Sequence, residues 1–242
     1  MSKHEEIADS LTHDILVGQY RTGERLPSER DLAARFDANR GAVREAMKKL
    51  EQLGVADIQP GGARVVPVEE ASLDVIGHLL AVGEVPDSKL VDQILEVIAS
   101  LIQMAILSAF RRGNAAQLEE LRLLTRPLYL EELDHDAHML ARVSLMRALL
   151  AASENLAVQL IAKSLLLQFV PSMATLEGYG QIDLNAHRRL SKQLDAALGN
   201  RDLAETRRIF SELSDLNRDA VKRAFDEYEA AKNQIIQEVS AP

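Results

Sequence analysis

The chain has 242 residues, 47% of them hydrophobic and 27% charged, with a net charge of −9. That balance excludes wholesale disorder and suggests one or two globular domains. The absence of cysteine excludes disulfides, thiolate zinc sites and cysteine nucleophiles.

The acid is unevenly spread. Of 28 basic and 37 acidic residues, ten and eleven lie within residues 1–66, leaving 18 and 26 for the remainder. A nucleic-acid surface needs local positive potential, not a basic whole chain. The opening MSKHEEIADSL carries no apolar signal core, and no uninterrupted apolar run reaches about 18 residues. The expectation is a cytoplasmic protein without a spanning helix or a membrane partner.

Ile7, Ala8, Leu11 and Ile15 recur at helical spacing and predict a first helix over 4–17. GQYRTGERLP breaks it. Ser28 can cap a short second helix, SERDLAARF, with Asp31 completing a weak capping box. Asn39 caps a third helix that Gly54 terminates. Its apolar face is Val43, Ala46, Met47, Leu50 and Leu53.

On the opposite face Arg40, Arg44 and Lys48 form one stripe at i, i+4 and i+8. Gly41 and Ala42 keep the first turn small. Such a helix can approach a major groove, where arginine donates two bonds to guanine. A solvated basic face is the ordinary alternative. VADIQPGGARVVPV then reads as two short strands around a Pro-Gly-Gly turn. A hairpin directly after a helix-turn-helix is a winged helix. Arg64 follows its tip, placed for phosphate or a narrow minor groove.

From Ser72 onward the periodicity is helical throughout. It predicts about seven helices, over 72–82, 87–112, 115–125, 130–151, 155–177, 183–199 and 202–232. The predicted organisation is a winged-helix domain at 1–66, a linker at 67–71, an all-α effector and dimerisation bundle at 72–232, and a flexible tail at 233–242. The helix at 155–177 is apolar nearly all round, so a central place in the bundle is expected. DHDAH holds His135 and His138, which could share a face and bind zinc with a carboxylate, as an enzyme would need. A His/Asp-rich run near a loop is more commonly solvated surface, and no catalytic signature supports the enzyme reading. His187 reads as surface or cavity lining.

The run ERLPSERDLAARFDANRGAVREAMKKLEQLGV resembles the winged-helix domain of the GntR family of transcription regulators. Gly23, Leu26, Pro27, Ser28, Glu29, Arg30, Leu32, Val43, Arg44, Glu45, Ala46, Leu50 and Gly54 match its motif. The resemblance implies DNA contacts from Arg30, Arg40 and Arg44, with Gly61 at the wing tip. In the wing, Pro60 and Gly62 stand where polar or basic residues often occur. SLDVIGHLLAVGEVPDSKLVDQILEVIASLIQMAILSAFRRG is similar to the start of the effector domain in the FadR subfamily. Relatives in that wider group hold a metal through one Asp and three His. The corresponding places hold Arg142, Met146, Ser191 and, near the last, Leu213, so no metal or other cofactor is expected.

An arginine that relatives use for an acidic effector corresponds to Ile98. The resemblance therefore implies an effector with a long apolar chain, such as a fatty acyl-CoA, held by apolar walls. A small organic acid, or no effector at all, is the alternative. Met104, Met139, Met146 and Met173 could line an adaptable cavity, though methionines more commonly fill plain core. The candidate effector residues are Ile98, Met104, Arg142, Met146, Tyr179 and Ser191. The expected partners are a second copy of the chain and a palindromic DNA duplex.

Overall fold

The computed structural model describes residues 2–130 and 132–239. The chain divides into two compact units. One comprises Met1–Asp87 with Gln168–Ser172, the other Ser88–Leu167 with Met173–Pro242.

In the first unit, α1 (Lys3–Leu16) and α2 (Glu29–Arg35) both pack on α3 (Arg40–Leu53). The predicted apolar positions form its core: Ile7, Leu11, Val43, Ala46 and Leu50 are all fully enclosed. Burying each large aliphatic side chain contributes about 1.5–3 kcal/mol. Asp14 of α1 is buried and accepts a 2.7 Å bond from Arg35 at the end of α2, tying the two helices together. Ser28 caps α2, its Oγ accepting from the Asp31 amide at 3.3 Å. The Asp31 carboxylate in turn accepts from the Ser28 hydroxyl at 2.6 Å.

Asn39 caps α3, its Oδ1 accepting from the Ala42 amide at 2.9 Å. Gly54 ends the helix at φ +74°, the left-handed region that glycine adopts without strain. β1 (Ala56–Gln59) and β2 (Gly62–Val65) pair antiparallel, with Ala56 opposite Val65. The chain at 23–26 lies on the other edge of β2, where Leu26 N–H donates to Ala63 O at 2.9 Å.

This unit extends beyond the expected boundary at 66–71. The linker is a 3₁₀ turn at Val68–Glu70, and α4 (Val75–Leu80) follows. Val75 joins the winged-helix core, with Leu79 packed beside it. The apolar side of α4 finds its partner on α1, so burial draws it into the first unit.

The second unit contains α5 (Ser88–Arg112), α6 (Ala115–Thr125), α7 (Pro127–Leu130), α8 (His135–Ala152), α9 (Leu156–Ser172) as far as Leu167, α10 (Leu184–Gly199) and α11 (Leu203–Val239). α5 packs against α8 and α11, and α10 against α6 and α11. By length and composition α5 could cross a membrane, although polar residues interrupt every apolar run within it. Its stripe of Val91, Ile94, Ile98, Leu101, Ala105 and Ile106 is buried in the bundle. That burial is the physical reason for its apolar composition.

Three expectations change. The helix expected at 130–151 begins at His135 after the short α7, and residue 131 lies outside the described residues. The expected tail at 233–239 continues α11, and 240–242 lie outside the described residues. α9 is not buried all round. It buries Val158, Ala162, Leu165 and Phe169, but Leu156, Leu160, Leu167 and Val170 are 67%, 58%, 64% and 56% exposed. Its composition suits an interior on both faces, but among the described residues only one face is buried.

Candidate functional site

The α3 stripe is on the surface: Arg40, Arg44 and Lys48 are all exposed. Arg44 Nε donates to both carboxylate oxygens of Glu29, at 3.0 and 2.9 Å. Lys48 pairs with Glu45 at 2.8 Å within the helix. Arg30 is more open than Arg44 and Lys48, with 79% of its side chain exposed and only a 3.6 Å approach to Asp31. Gly41 is exposed, and a Cβ there would meet the capping Asn39 Oδ1 at 3.1 Å, so a larger residue would press on the cap.

In the wing, Pro60 and Gly61 form the turn between Gln59 and Gly62. Gly61 and Gly62 hold φ +105° and +138°. Arg64 is exposed, but its Nη1 donates to Gly23 O at 2.9 Å. Arg25 was not singled out from the sequence. Its guanidinium lies against Gly62, where a Cβ would stand 2.6 Å from Nε. The wing therefore carries two cations, Arg25 and Arg64.

In the second unit the candidate effector residues separate. Ile98 is buried in the α5 core stripe. Met104 is 47% exposed. It lies off that stripe, on the outward face of α5, and does not line an interior as expected; Met139 is exposed too. Tyr179 stacks edge-on against Tyr228, with ring centroids 5.8 Å apart. Arg142, on α8, donates from Nη1 to Asn217 Oδ1 of α11 at 3.3 Å. Ser191, on α10, is fully buried and shares a 3.1 Å hydrogen bond with His187 Nδ1. Met146, one turn beyond Arg142, is half-buried.

Two histidines complete this interior. His138 is one turn before Arg142 and only 2% exposed, and its ring stands edge-on to His187 at 4.4 Å. Burial, reinforced by the Arg142 charge, holds His138 down to about 4. Burial and the neighbouring His138 and Arg142 hold His187 down to about 3. Both rings are neutral near pH 7. The DHDAH run thus splits: Asp134 caps α8 through the Ala137 amide at 2.8 Å, His135 is exposed, and His138 turns inward.

The four places expected to hold a metal carry side chains that do not suit one. A guanidinium, a thioether, a hydroxyl and a leucine offer no divalent-cation ligand set. Among the described residues no group of three or more His, Asp or Glu could hold an ion.

Residues 3–66 match the family model described as bacterial regulatory proteins, gntR family. The regulator Mce2R of Mycobacterium tuberculosis is 36% identical over 120 residues, 48% of this chain and 49% of that protein. LutR of Bacillus subtilis is 30% identical over 58% of this chain and 64% of its own length. The Uxu operon regulator of Haemophilus influenzae is 32% identical over 62% and 58%. The chain spans about half the length of the curated relatives it matches first. A solved structure of Lar, described as controlling expression of the Listeria monocytogenes agr system, superposes with a TM-score of 0.54 at 19% identity, covering 93% of this chain and 98% of that one. That likeness shows the fold. The similarity is to transcription regulators. The N-terminal unit is accordingly a winged helix-turn-helix of the gntR family, joined to a C-terminal helical unit.

Proposed function

We propose that the chain is a cytoplasmic, sequence-specific DNA-binding transcription regulator. It acts as a homodimer on a palindromic operator, under control of a small molecule held in the C-terminal unit. The observation that carries this reading is the exposed Arg40, Arg44 and Lys48 stripe on α3 beside a two-cation wing, within the segment that matches the gntR family. Arg40 and Arg44 read base edges, Lys48 and Arg30 meet phosphates, and Arg64 and Gly61 follow the backbone at the wing. Ser28 and Asn39 set the helix termini against phosphates, with Gly41 allowing close approach.

The exposed α9 stripe supports pairing of two copies. Effector binding then shifts the population between dimer arrangements that match the half-site spacing and arrangements that do not. Resemblance to the FadR subfamily points to a fatty acyl-CoA. A small organic acid is the second reading, and the polar interior around Arg142 favours it.

Titration of fluorescent duplexes tests the DNA reading, using an operator selected from a random pool and a scrambled control. Arg40→Ala costs about 1–3 kcal/mol on the operator and relaxes preference at one base. Lys48→Ala weakens both duplexes alike and lowers the salt slope by about one. Absence of any selected sequence, with no salt dependence, would overturn the reading.

A further inference from the structure

The chain at 23–26 lies along β2 as a third strand of the wing. Leu26 N–H donates to Ala63 O at 2.9 Å, and Val65 N–H donates to Glu24 O at 3.0 Å. Between these two bonds Arg25 stands directly opposite Arg64, in the kind of antiparallel pair whose side chains come closest. Alternation turns Leu26, Ala63 and Val65 into the core and leaves both arginines exposed. Like charges set opposite each other across strands disfavour the fold.

The two cations are not equivalent. Arg64 faces Asp57 of β1 on its other side, and its Nη1 donates to Gly23 O at 2.9 Å. Arg25 has neither aid: no hydrogen bond or ion pair engages its guanidinium among the described residues. The guanidinium lies over the wing turn instead. A Cβ on Gly62 would stand 2.6 Å from Nε and 2.9 Å from Nη2, and one on Gly61 would stand 3.8 Å from Nη2. In sequence, Pro60 and Gly62 read as a wing tip without its polar side chains. In space, a residue from the segment before α2 fills that place, and the bare glycines are what seat it.

We propose that Arg25 is the groove-reading residue of the wing and confers a preference for A·T pairs flanking each half-site. The inference rests on the DNA reading above. A guanidinium laid on a turn without side chains makes a thin positive edge. A narrow A·T minor groove has enhanced negative potential and attracts an inserted arginine. A G·C pair sets the guanine amino group in that groove, a second donor facing the arginine's donors. An arginine that met phosphate alone would be indifferent to that group.

The test uses the full chain and an operator selected from a random pool, with the flanking pairs made A·T, G·C or inosine·C. Inosine keeps the major-groove edge of guanine and lacks the amino group. The wild-type chain is expected to bind the A·T and inosine flanks about fivefold or more tighter than the G·C flank. Arg25→Ala should equalise the three flanks while selecting the same half-site. Arg64→Ala should weaken all three alike. Gly62→Ala drives a Cβ into Nε and should also lose the preference. That variant strains a backbone at φ +138° as well, so Arg25→Ala, which removes only an exposed side chain, carries the decision. An Arg25→Ala chain that keeps the preference overturns the proposal. So does one that weakens all three flanks equally and lowers the salt slope by about one, the mark of a phosphate contact. Wild-type protein that selects a half-site yet ignores the flanks overturns this inference alone. Failure to select any sequence overturns the DNA reading and this inference with it.

Discussion

Replacing Glu29 with alanine removes the carboxylate that holds Arg44. In the structure only Nε of Arg44 is engaged, at 3.0 and 2.9 Å from the two Glu29 oxygens. Nη1 and Nη2 make no hydrogen bond among the described residues. They are the pair of donors that a guanine edge accepts. Glu29 therefore positions the guanidinium plane without using the atoms that read DNA. Both partners are partly exposed, 63% and 42%, so the ion pair is worth at most about 1 kcal/mol. Glu29→Ala should accordingly weaken operator binding by up to about fivefold, with little effect on a scrambled duplex. Arg44→Ala should lose about 1–3 kcal/mol on the operator. In the double variant the Glu29 effect should vanish, because its sole target has gone. Fluorescence anisotropy on both duplexes gives the four affinities. If Glu29→Ala instead tightens both duplexes equally, Glu29 is only a repelling charge and the positioning argument fails.

Leu160→Glu with Leu167→Glu places charge on the exposed stripe of α9. Light scattering should show a dimer becoming a folded monomer, whereas a wild-type chain that is already monomeric would sink the pairing assigned to this face. Gly54→Ala forces a side chain into φ +74°, with its Cβ 3.0 Å from the Ala71 backbone. A loss of about 1–3 kcal/mol in urea melts is expected, with no change in the second unit. His138 and His187 fall from an ordinary 6.5 to about 4 and about 3 on folding, so the unfolded chain binds more protons below pH 6.5. Stability of the second unit should drop as pH falls from 6.5 towards 4, at up to about 1.4 kcal/mol per pH unit for each ring. His187→Phe should flatten that slope between pH 6.5 and 5; an unchanged slope would mean the rings are solvated.

The winged helix was legible in the chain itself because its signals are local. Ser28 and Asn39 cap the helices that follow them, Gly54 ends α3, and the i, i+4, i+8 spacing puts Arg40, Arg44 and Lys48 on one face whatever surrounds them. Helical periodicity likewise gave nearly all of the C-terminal helices. Periodicity says which residues share a face; it does not say what meets that face. So α9 reads as interior on both sides, although one side is exposed among the described residues, and α4 reads as part of the bundle although its apolar side packs with α1. The same limit hid the buried histidine pair. His138 sits in a run that reads as surface, and His187 and Asn217 are far from it in sequence. Only the convergence of α8 and α10 buries His138 against His187, and only the approach of α11 brings Asn217 to Arg142.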